Sequence, residues 1–420
     1  MYSKKLHAFC IFLFFTFHFS LSAQTSNPSC DGKRYVTNVF SDTTQTTVQY
    51  GSNSDLAGNS VSLKMDIVEP KNDTVSKRPI IFLAFGGGFI QGTRRDAYML
   101  GLCKDFAARG YVAVTIDYRL HPLFLPIDSV SITNVIAQAV QDMRASIRYM
   151  IKDARTTNKY KIDTTNLFVG GLSAGAITAL HVAYLDTTRN VPTWIMNAIR
   201  KQGGIDGNSG TVGDYTFKIK GVFSLSGALY SKDAFRAKDP AYISIHGTAD
   251  KTLAYAYGKN VYGFYGDGDG SLAPASLTLN IPTLHVAVLG SDHTDFYDFL
   301  NPSNAYPGQY ASFKSKADIF MKKLICGEAI TPTNDIVNNL ETSIFPNPAT
   351  NEFNVHIADG DYSTHWQIEL TSTTGKNVAS QKFETNQFTI TRSNIPPGLY
   401  FLRITNTIDY ISTVKKVIFQ

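Results

Sequence analysis

The chain has 420 residues, of which 43% are hydrophobic and 17% are charged. This length exceeds that of one ordinary domain, and the hydrophobic content is sufficient for substantial folded cores. The net charge is only +5, and the sequence has no basic run or stripe of the kind that nucleic acid requires, so nucleic acid is excluded as an expected partner.

The first 23 residues are predicted to be a processing signal. Lys4 and Lys5 precede an apolar stretch, and small residues occupy 21–23, as is typical of a cleaved signal peptide. The apolar stretch is short for a membrane span and is interrupted by His18. We therefore predict an exported protein without a stable membrane span, and an uncleaved anchor is the alternative.

Strand and helix patterns alternate through the middle of the chain. An opening antiparallel pair is predicted near 48–51 and 61–67, and apolar residues recur at helical spacing over 133–159. This alternation predicts a mostly parallel sheet with helices on both faces. Further strands are predicted at about 79–85, 112–118, 166–171, 220–226, 241–246 and 283–289.

A glycine-rich loop follows the first of these further strands. Residues 86–88 are all glycine and stand between Phe85 and Phe89. Glycines leave backbone N–H groups free to face a ligand, and a donor aimed at the developing oxyanion of acyl transfer is commonly worth about 3 kcal/mol. With the amide of Ala174, this loop would form an oxyanion hole, whereas the alternative is a flexible turn.

A G-x-S-x-G motif occupies residues 171–175, where a predicted strand gives way to a helical pattern at 176–183. A serine in such a turn adopts strained backbone angles, and its hydroxyl lies at the top of the sheet on a helix N-terminus. The motif and its setting predict that Ser173 is a nucleophile.

In hydrolases of this architecture, the serine usually comes first along the chain, the acid second and the histidine third. This order limits which acid and which histidine could act together with Ser173. His293 lies in a polar loop directly after a predicted strand, whereas His285 lies inside that strand. Asp250 follows the turn after an earlier strand, and no glutamate occurs between Ser173 and His293. We therefore predict Asp250 as the acid and His293 as the base. The alternative for Asp250 is a turn residue that caps a helix.

Residues 186–218 interrupt the alternation and contain Trp194. An insertion there would lie over the edge of the sheet that carries the predicted catalytic residues, and it would shape a substrate pocket. The alternative is a surface loop without a role in substrate binding. We predict Phe89 and Trp194 as substrate-binding residues. Residues 266–270 read G-D-G-D-G but lack the ligand spacing and the terminal glutamate of a calcium loop, so no metal and no cofactor is predicted.

Removal of the signal peptide would leave three cysteines, Cys30, Cys103 and Cys326. Disulfides persist in exported proteins, so one pair is expected. A bridge from Cys30 to Cys326 would join the two ends of the region in which strand and helix patterns alternate, and a bridge from Cys30 to Cys103 is nearly as compatible with the sequence.

From about residue 41 to residue 326 the chain resembles the α/β-hydrolase superfamily, and within it carboxylesterases and hormone-sensitive-lipase-like enzymes. The resemblance rests on the G-x-S-x-G motif, the glycine loop and the Asp-Tyr-Arg-Leu sequence at 117–120. One departure is Phe85, because relatives usually have a histidine there. The loop of this chain is therefore expected to be held by packing instead.

The resemblance implies roles for the predicted site residues. Ser173 would attack the ester carbonyl, His293 would act as general base and then as general acid, and Asp250 would orient His293. The oxyanion hole would be formed by backbone amides of three residues, namely Gly87, Gly88 and Ala174.

The composition changes after Cys326, and short β-type runs recur from 353 to 419 between turns, which predicts a small β-sandwich. This module resembles the C-terminal sorting domain of the bacterial type IX secretion system, on F-P-N-P-A-T-N at 345–351, Gly398-Leu399-Tyr400 and the terminal Lys415-Lys416-Val417. A carbohydrate-binding sandwich is the alternative. The predicted organisation is a signal peptide at 1–23, a hydrolase domain at 24–326, a linker at 327–340 and a sorting domain at 341–420.

These features together predict a secreted or cell-surface serine esterase that is exported by the type IX machinery. Its substrate would be a small-molecule or polymer-linked ester, with acetyl or feruloyl esters of polysaccharides as examples. A serine peptidase of the same fold and a non-catalytic surface-binding protein are the alternatives. The sequence does not predict the acyl chain length or the oligomeric state.

Overall fold

A computed structural model describes residues 30–213, 215–330, 342–357, 365–406 and 412–420. The predicted signal peptide at 1–23 and most of the predicted linker lie outside these ranges. Within the described ranges, we find no helix with the length and apolar character needed to cross a membrane.

Within the described residues before the linker, the structure has eleven strands and six α-helices. The strands are β1 (Thr43–Ser54), β2 (Ser60–Pro70), β3 (Arg78–Ala84), β4 (Val112–Ile116), β5 (Ile162–Leu172), β6 (Gly221–Leu225), β7 (Ala228–Leu229), β8 (Ala241–Gly247), β9 (Tyr257–Lys259), β10 (Tyr265–Gly268) and β11 (Thr283–Val288). The helices are α1 (Ala97–Ala108), α2 (Ser129–Arg155), α3 (Ala174–Tyr184), α4 (Thr193–Lys201), α5 (Asp269–Thr278) and α6 (Gln309–Cys326).

Eight strands form one sheet in the order β1-β2-β4-β3-β5-β6-β8-β11. The six strands from β4 to β11 are mutually parallel, whereas β1 and β2 pair antiparallel at one edge. Strands β3, β4, β6, β8 and β11 are buried along their whole length, as expected of parallel strands that are covered on both faces. The carboxyl ends of β5, β8 and β11 therefore lie along one edge of the sheet. The predicted sheet is confirmed.

Helix α2 begins four residues earlier than the predicted helix at 133–159. Asp128 precedes it, and its side chain accepts a hydrogen bond from the backbone N–H of Ser131 while the Ser131 hydroxyl bonds back to the N–H of Asp128. This reciprocal cap satisfies two donors that a helix start leaves unpaired. The predicted end was also too late, because the helix stops at Arg155.

The predicted insertion at 186–218 contains helix α4, which the sequence analysis did not predict. Its buried residues Ile195, Ala198 and Ile199 form a small apolar cluster with Ala137 of α2. The Gln141 side chain donates hydrogen bonds to the backbone carbonyls just after α4. The first part of the insertion is therefore packed against the hydrolase core.

Cys30 and Cys326 form a disulfide, with Cα atoms 6.0 Å apart. Cys103 is buried in α1 and is not bonded to another cysteine. The first of the two pairings that the sequence left open is thus present.

Among the residues that the structure describes after the linker, seven further strands form two antiparallel sheets. Ile368, Leu402 and Phe353 lie in a core of their own. Strands β12 and β15 were not predicted, because both are largely exposed and lack a clear apolar alternation. The strands are β12 (Thr342–Phe345), β13 (Glu352–Ile357), β14 (Trp366–Ser372), β15 (Asn377–Phe383), β16 (Gln387–Thr391), β17 (Gly398–Asn406) and β18 (Ser412–Phe419), in the sheets β12-β13-β16 and β15-β14-β17-β18.

Candidate active site

Ser173 stands alone between β5 and α3 with φ 54° and ψ −116°, a conformation that non-glycine residues rarely adopt. Its backbone N–H donates to the carbonyl of Leu225 at the end of β6, 2.8 Å away. Close backbone approach requires Gly175, since a Cβ there would lie 2.0 Å from the carbonyl oxygen of Ala84. The strand, the turn and the helix together hold the serine hydroxyl at the edge of the sheet.

The structure brings the three predicted catalytic side chains together. His293 Nε2 lies 2.8 Å from Ser173 Oγ, and His293 Nδ1 lies 2.6 Å from Asp250 Oδ2. Residues that are 120 and 43 positions apart in the chain thus form one continuous hydrogen-bonded line. With Nδ1–H donated to a carboxylate, Nε2 is free to accept the serine proton.

Asp250 is bound on both of its carboxylate oxygens. Oδ1 accepts the backbone N–H groups of Thr252 and Leu253, each at 2.8 Å. Oδ2 accepts from His293 and also from His246 Nε2, which is 2.9 Å away. Burial of the carboxyl opposes ionisation, but the hydrogen bonds from the two histidines outweigh it and hold the pKa of Asp250 well below its ordinary value.

The glycine loop lies against the nucleophile turn. A Cβ placed on Gly86 would come within 3.5 Å of the Cβ of Ser173. Gly87 and Gly88 have φ values of 115° and 64°, which suit glycine, and Phe89 has φ 63°. Among the described residues, the backbone amides of Gly87, Gly88 and Ala174 donate to no protein acceptor. Three amides are therefore left for a ligand beside the serine.

Three tyrosine hydroxyls hold this loop in place of the histidine that relatives carry at the position of Phe85. Tyr118 donates to the carbonyl of Phe85 at 2.8 Å, and its ring stacks on the Phe85 ring. Tyr98 accepts the N–H of Gly86 at 2.8 Å. Tyr262 donates to the carbonyl of Gly88 at 2.6 Å. Packing alone was expected, so the hydroxyl contacts are a correction to that expectation.

Ser173 and His293 line a cleft whose walls come from the glycine loop, the start of α3 and the loop between β9 and β10. A narrower apolar cavity of about 50 Å³ adjoins it. Ile177, Leu253 and Phe264 line both spaces. The apolar cavity therefore adjoins the start of α3, the helix that follows Ser173.

The two predicted substrate-binding residues differ in placement. Phe89 lies at the wall of the cleft, but its side chain is 1% exposed and packs edge-on against Tyr118. Trp194 is 46% exposed and lines the apolar cavity, with its ring 6.3 Å from that of Phe264. Trp194 therefore offers surface to a ligand, whereas Phe89 chiefly supports the loop.

His246 and Asp269 lie behind Asp250 and were not among the predicted site residues. His246 Nε2 is hydrogen-bonded to Asp250, and His246 Nδ1 lies at an ion-pair distance of 3.2 Å from Asp269 Oδ2. Asp269 was part of the segment that hinted at calcium. Its Oδ1 accepts the hydroxyl of Tyr242, and the neighbouring Asp267 accepts the N–H of Lys232 at 2.8 Å. These carboxylates serve protein donors, and the described ranges contain no group of three or more side chains suited to a metal ion. A buried histidine four residues before the acid was the available signal.

Comparison with protein families bears on the first part of the chain. Residues 65–230 match the family described as BD-FAE, a family of α/β-hydrolase esterases. These residues therefore resemble a BD-FAE esterase domain. The chain is a carboxylic ester hydrolase, and the predicted α/β-hydrolase fold is confirmed.

A second family covers the end of the esterase chain. Residues 343–420 match the secretion system C-terminal sorting domain, so the predicted sorting domain is confirmed. This domain implies export by the type IX machinery and attachment at the cell surface.

Solved structures of esterase 2 from Thermogutta terrifontis are similar to the chain. The apo form is 20% identical, with a TM-score of 0.47, and the match covers 69% of this chain and 96% of that one. The form phosphorylated by paraoxon is 21% identical, with a TM-score of 0.48 and coverages of 68% and 96%. The propionate-bound form is 19% identical, with a TM-score of 0.48 and coverages of 69% and 96%. No curated protein matches the sequence.

Proposed function

We propose that the esterase cleaves carboxylic esters through an acyl-enzyme on Ser173, with His293 as proton carrier and Asp250 as its orienting acid. The observation that carries the proposal is the unbroken line from Ser173 Oγ through His293 to Asp250, with contacts of 2.8 and 2.6 Å. It supports a nucleophile, a base and an acid in the geometry that acyl transfer requires.

In the first half of the reaction, Ser173 Oγ attacks the carbonyl carbon as its proton passes to His293 Nε2. The carbonyl oxygen becomes negative and is met by the free amides of Gly87, Gly88 and Ala174. The bond to the alcohol oxygen then breaks, and His293 gives its proton to the departing alcohol. An ester between the acyl group and Ser173 remains.

In the second half, a water molecule attacks the same carbonyl carbon and gives a proton to His293 Nε2. The bond to Ser173 Oγ breaks as the proton returns to the serine, and a carboxylic acid leaves. Asp250 stays ionised throughout, which its four hydrogen-bond donors support. Its role is to hold the ring and to stabilise the imidazolium that forms twice in each cycle.

The apolar cavity beside the cleft leaves room for acyl groups from acetyl upward in size. Ile177, Leu253 and Phe264 would guide an apolar chain or ring from the catalytic carbonyl into the cavity that Trp194 lines. Export places the substrate outside the cell. We therefore propose short to medium acyl esters, with acetyl or feruloyl groups on polysaccharides as the natural form.

The test is hydrolysis of p-nitrophenyl esters from acetate to laurate, with methyl ferulate and acetylated xylan alongside. Wild type is compared with Ser173→Ala and with the matched control Ser315→Ala, an exposed serine on α6. We expect activity with a peak in chain length, retained by the control and lost in Ser173→Ala. An inactive wild type, or an unchanged rate in Ser173→Ala, would exclude this function for Ser173.

Export makes a second measurement informative. We expect the mature protein to begin after residue 23 and to lose its sorting domain, predicted at 341–420, on reaching the surface. Intact-mass measurement of the protein from the native secretion host would reveal both cuts, and a deletion of 341–420 should leave active enzyme in the periplasm. Surface display of the deleted form would contradict the predicted role of this domain.

A further inference from the structure

A second histidine, His246, is buried between the acid of the catalytic line and another carboxylate. Its side chain is fully buried at the end of β8. Nε2 lies 2.9 Å from Asp250 Oδ2, and Nδ1 lies 3.2 Å from Asp269 Oδ2. Both carboxylate side chains are themselves buried. The hydrolysis described above assigns no role to this histidine.

The two oxygen atoms near Nε2 show that this nitrogen carries a proton. Besides Asp250, it faces the backbone carbonyl oxygen of Leu253 at 3.1 Å. A carbonyl oxygen only accepts hydrogen bonds, so a nitrogen that faces both atoms must be the donor. His246 therefore donates to the same oxygen, Asp250 Oδ2, that receives His293 Nδ1–H.

The surroundings of Nδ1 favour a second proton. The hydroxyl of Tyr242 donates to Asp269 Oδ1, which leaves Asp269 Oδ2 facing His246 Nδ1 at an ion-pair distance. Two buried carboxylates without a counter-charge would be strongly unfavourable. Burial alone favours a neutral ring, but the carboxylates of Asp250 and Asp269 outweigh it and raise the pKa of His246 to about 10.

The other groups around His246 do not compete for this role. Tyr255 presents its ring edge-on at 5.7 Å. His285 on the neighbouring strand β11 bonds to Ser244 and to Tyr255, and burial lowers its pKa to about 4. A neutral His285 leaves His246 as the counter-charge to the two carboxylates.

We propose that His246 is a positively charged positioning residue of the esterase, held as an imidazolium between Asp269 and Asp250 so that Asp250 is fixed for His293. The inference rests on the proposed function, since it assigns His293 the role of base. The line of groups then runs from Tyr242 through Asp269, His246 and Asp250 to His293 and ends at Ser173.

The charge on His246 has a consequence for Asp250. A cation beside Asp250 Oδ2 stabilises the carboxylate at the oxygen that accepts His293 Nδ1–H. Removal of that charge would loosen the orientation of His293. The expected effect is a fall in kcat with little change in KM.

The first experiment reads the charge directly in the wild-type chain labelled with ¹⁵N-histidine. We expect His246 to show protons on both ring nitrogens at pH 8, with the signals identified by their loss in His246→Gln. A neutral ring with one protonated nitrogen at pH 8 would overturn the proposal, since the proton would then belong to Asp269.

The second experiment measures kcat and KM on a p-nitrophenyl ester for the wild type, His246→Gln and Asp269→Asn. We expect kcat to fall about 10-fold or more in both variants, with KM within about twofold. His285→Asn is the matched control, because it removes a buried histidine from the next strand without touching Asp250, and its kcat should stay within about twofold of the wild type.

The outcomes separate the two proposals. If the wild type hydrolyses esters but kcat is unchanged in folded His246→Gln and Asp269→Asn, the role of His246 is wrong and the proposed function stands. If the wild type hydrolyses no ester, both proposals fail. If both variants fail to fold, the ¹⁵N spectrum of the wild type still decides, because the absence of any histidine ring with protons on both nitrogens at pH 8 would exclude a charged His246.

Discussion

The hydroxyl of Tyr262 lies 2.6 Å from the carbonyl oxygen of Gly88, across 174 residues of sequence. This contact ties the loop between β9 and β10 to the glycine loop that faces Ser173. The hydrogen bond fixes the orientation of the Gly88 carbonyl and of the peptide plane to which it belongs. The orientation of the backbone amides in the glycine loop therefore depends on Tyr262, which is distant from the loop in the sequence.

Replacement of Tyr262 by phenylalanine should lower kcat about 3- to 10-fold with a smaller change in KM. A hydrogen bond of this kind is worth about 1 kcal/mol, and its loss would loosen donors that act in the transition state. Tyr257→Phe on β9 is the matched control, since that residue is 66% exposed. Steady-state kinetics on p-nitrophenyl butyrate measure both, and an equal effect in the two variants would contradict the role of Tyr262.

Gly175→Ala should prevent folding or abolish activity, since its Cβ would lie 2.0 Å from the Ala84 carbonyl oxygen in β3. Gly101→Ala is the matched control within a helix, because a Cβ there meets nothing within 4 Å. It should stabilise the protein by about 0.5 to 1 kcal/mol. Thermal unfolding and soluble yield distinguish the two, and a well-folded, active Gly175→Ala would show that the strand and helix can separate.

Thermal stability should be greatest near pH 6.5 as far as the buried histidines contribute. Burial lowers the pKa values of His181 and His285 from 6.5 to about 4, so the unfolded state binds more protons in that window and stability falls as pH drops through it. The pKa of His246 is raised from 6.5 to about 10, so the folded state holds an extra proton and stability falls as pH rises from 6.5 to 10. Melting temperatures from pH 4 to pH 10 test both slopes, and His246→Gln should lose the alkaline one.

Reduction of the bridge between Cys30 and Cys326 should destabilise the esterase by about 2 to 4 kcal/mol, because it joins residues 296 positions apart. Melting temperatures with and without dithiothreitol measure the effect. The shift should persist in Cys103→Ala and disappear in Cys326→Ser. A shift that requires Cys103 would contradict the assigned pairing.

Ala198→Leu should reduce activity on long acyl esters while activity on the acetate is retained. Ala198 is buried on α4 and lines the apolar cavity. Extra methyl groups there would fill space that a long acyl chain needs, whereas an acetyl group would not reach it. The ratio of kcat/KM for octanoate to that for acetate is the measurement. An unchanged ratio would place the acyl group elsewhere in the cleft.

Local sequence patterns predicted the turn at Ser173, the glycine loop and the mostly parallel sheet whose strands alternate with helices. Each of these features depends on residues close together in the sequence. Glycines stand at fixed positions around Ser173, and the strands are apolar runs of strand length. Asp250 and His293 each follow a strand of a parallel sheet, and such strands end at one edge. The placement of the three side chains at that edge was therefore predictable from local sequence.

Other features depend on contacts between distant residues, which no local pattern contains. Helix α4 was not predicted because its segment has a mixed composition without a clear helical pattern. Its packing against α2 stabilises the helix in spite of that composition. The tyrosines that hold the glycine loop, the pairing of Cys30 and the placement of Asp269 beside His246 join segments tens to hundreds of residues apart. By itself, the sequence determined which residues stand at the ends of the strands. Only the tertiary structure decided what lies behind them, because burial and charge pairing arise when distant segments share one core.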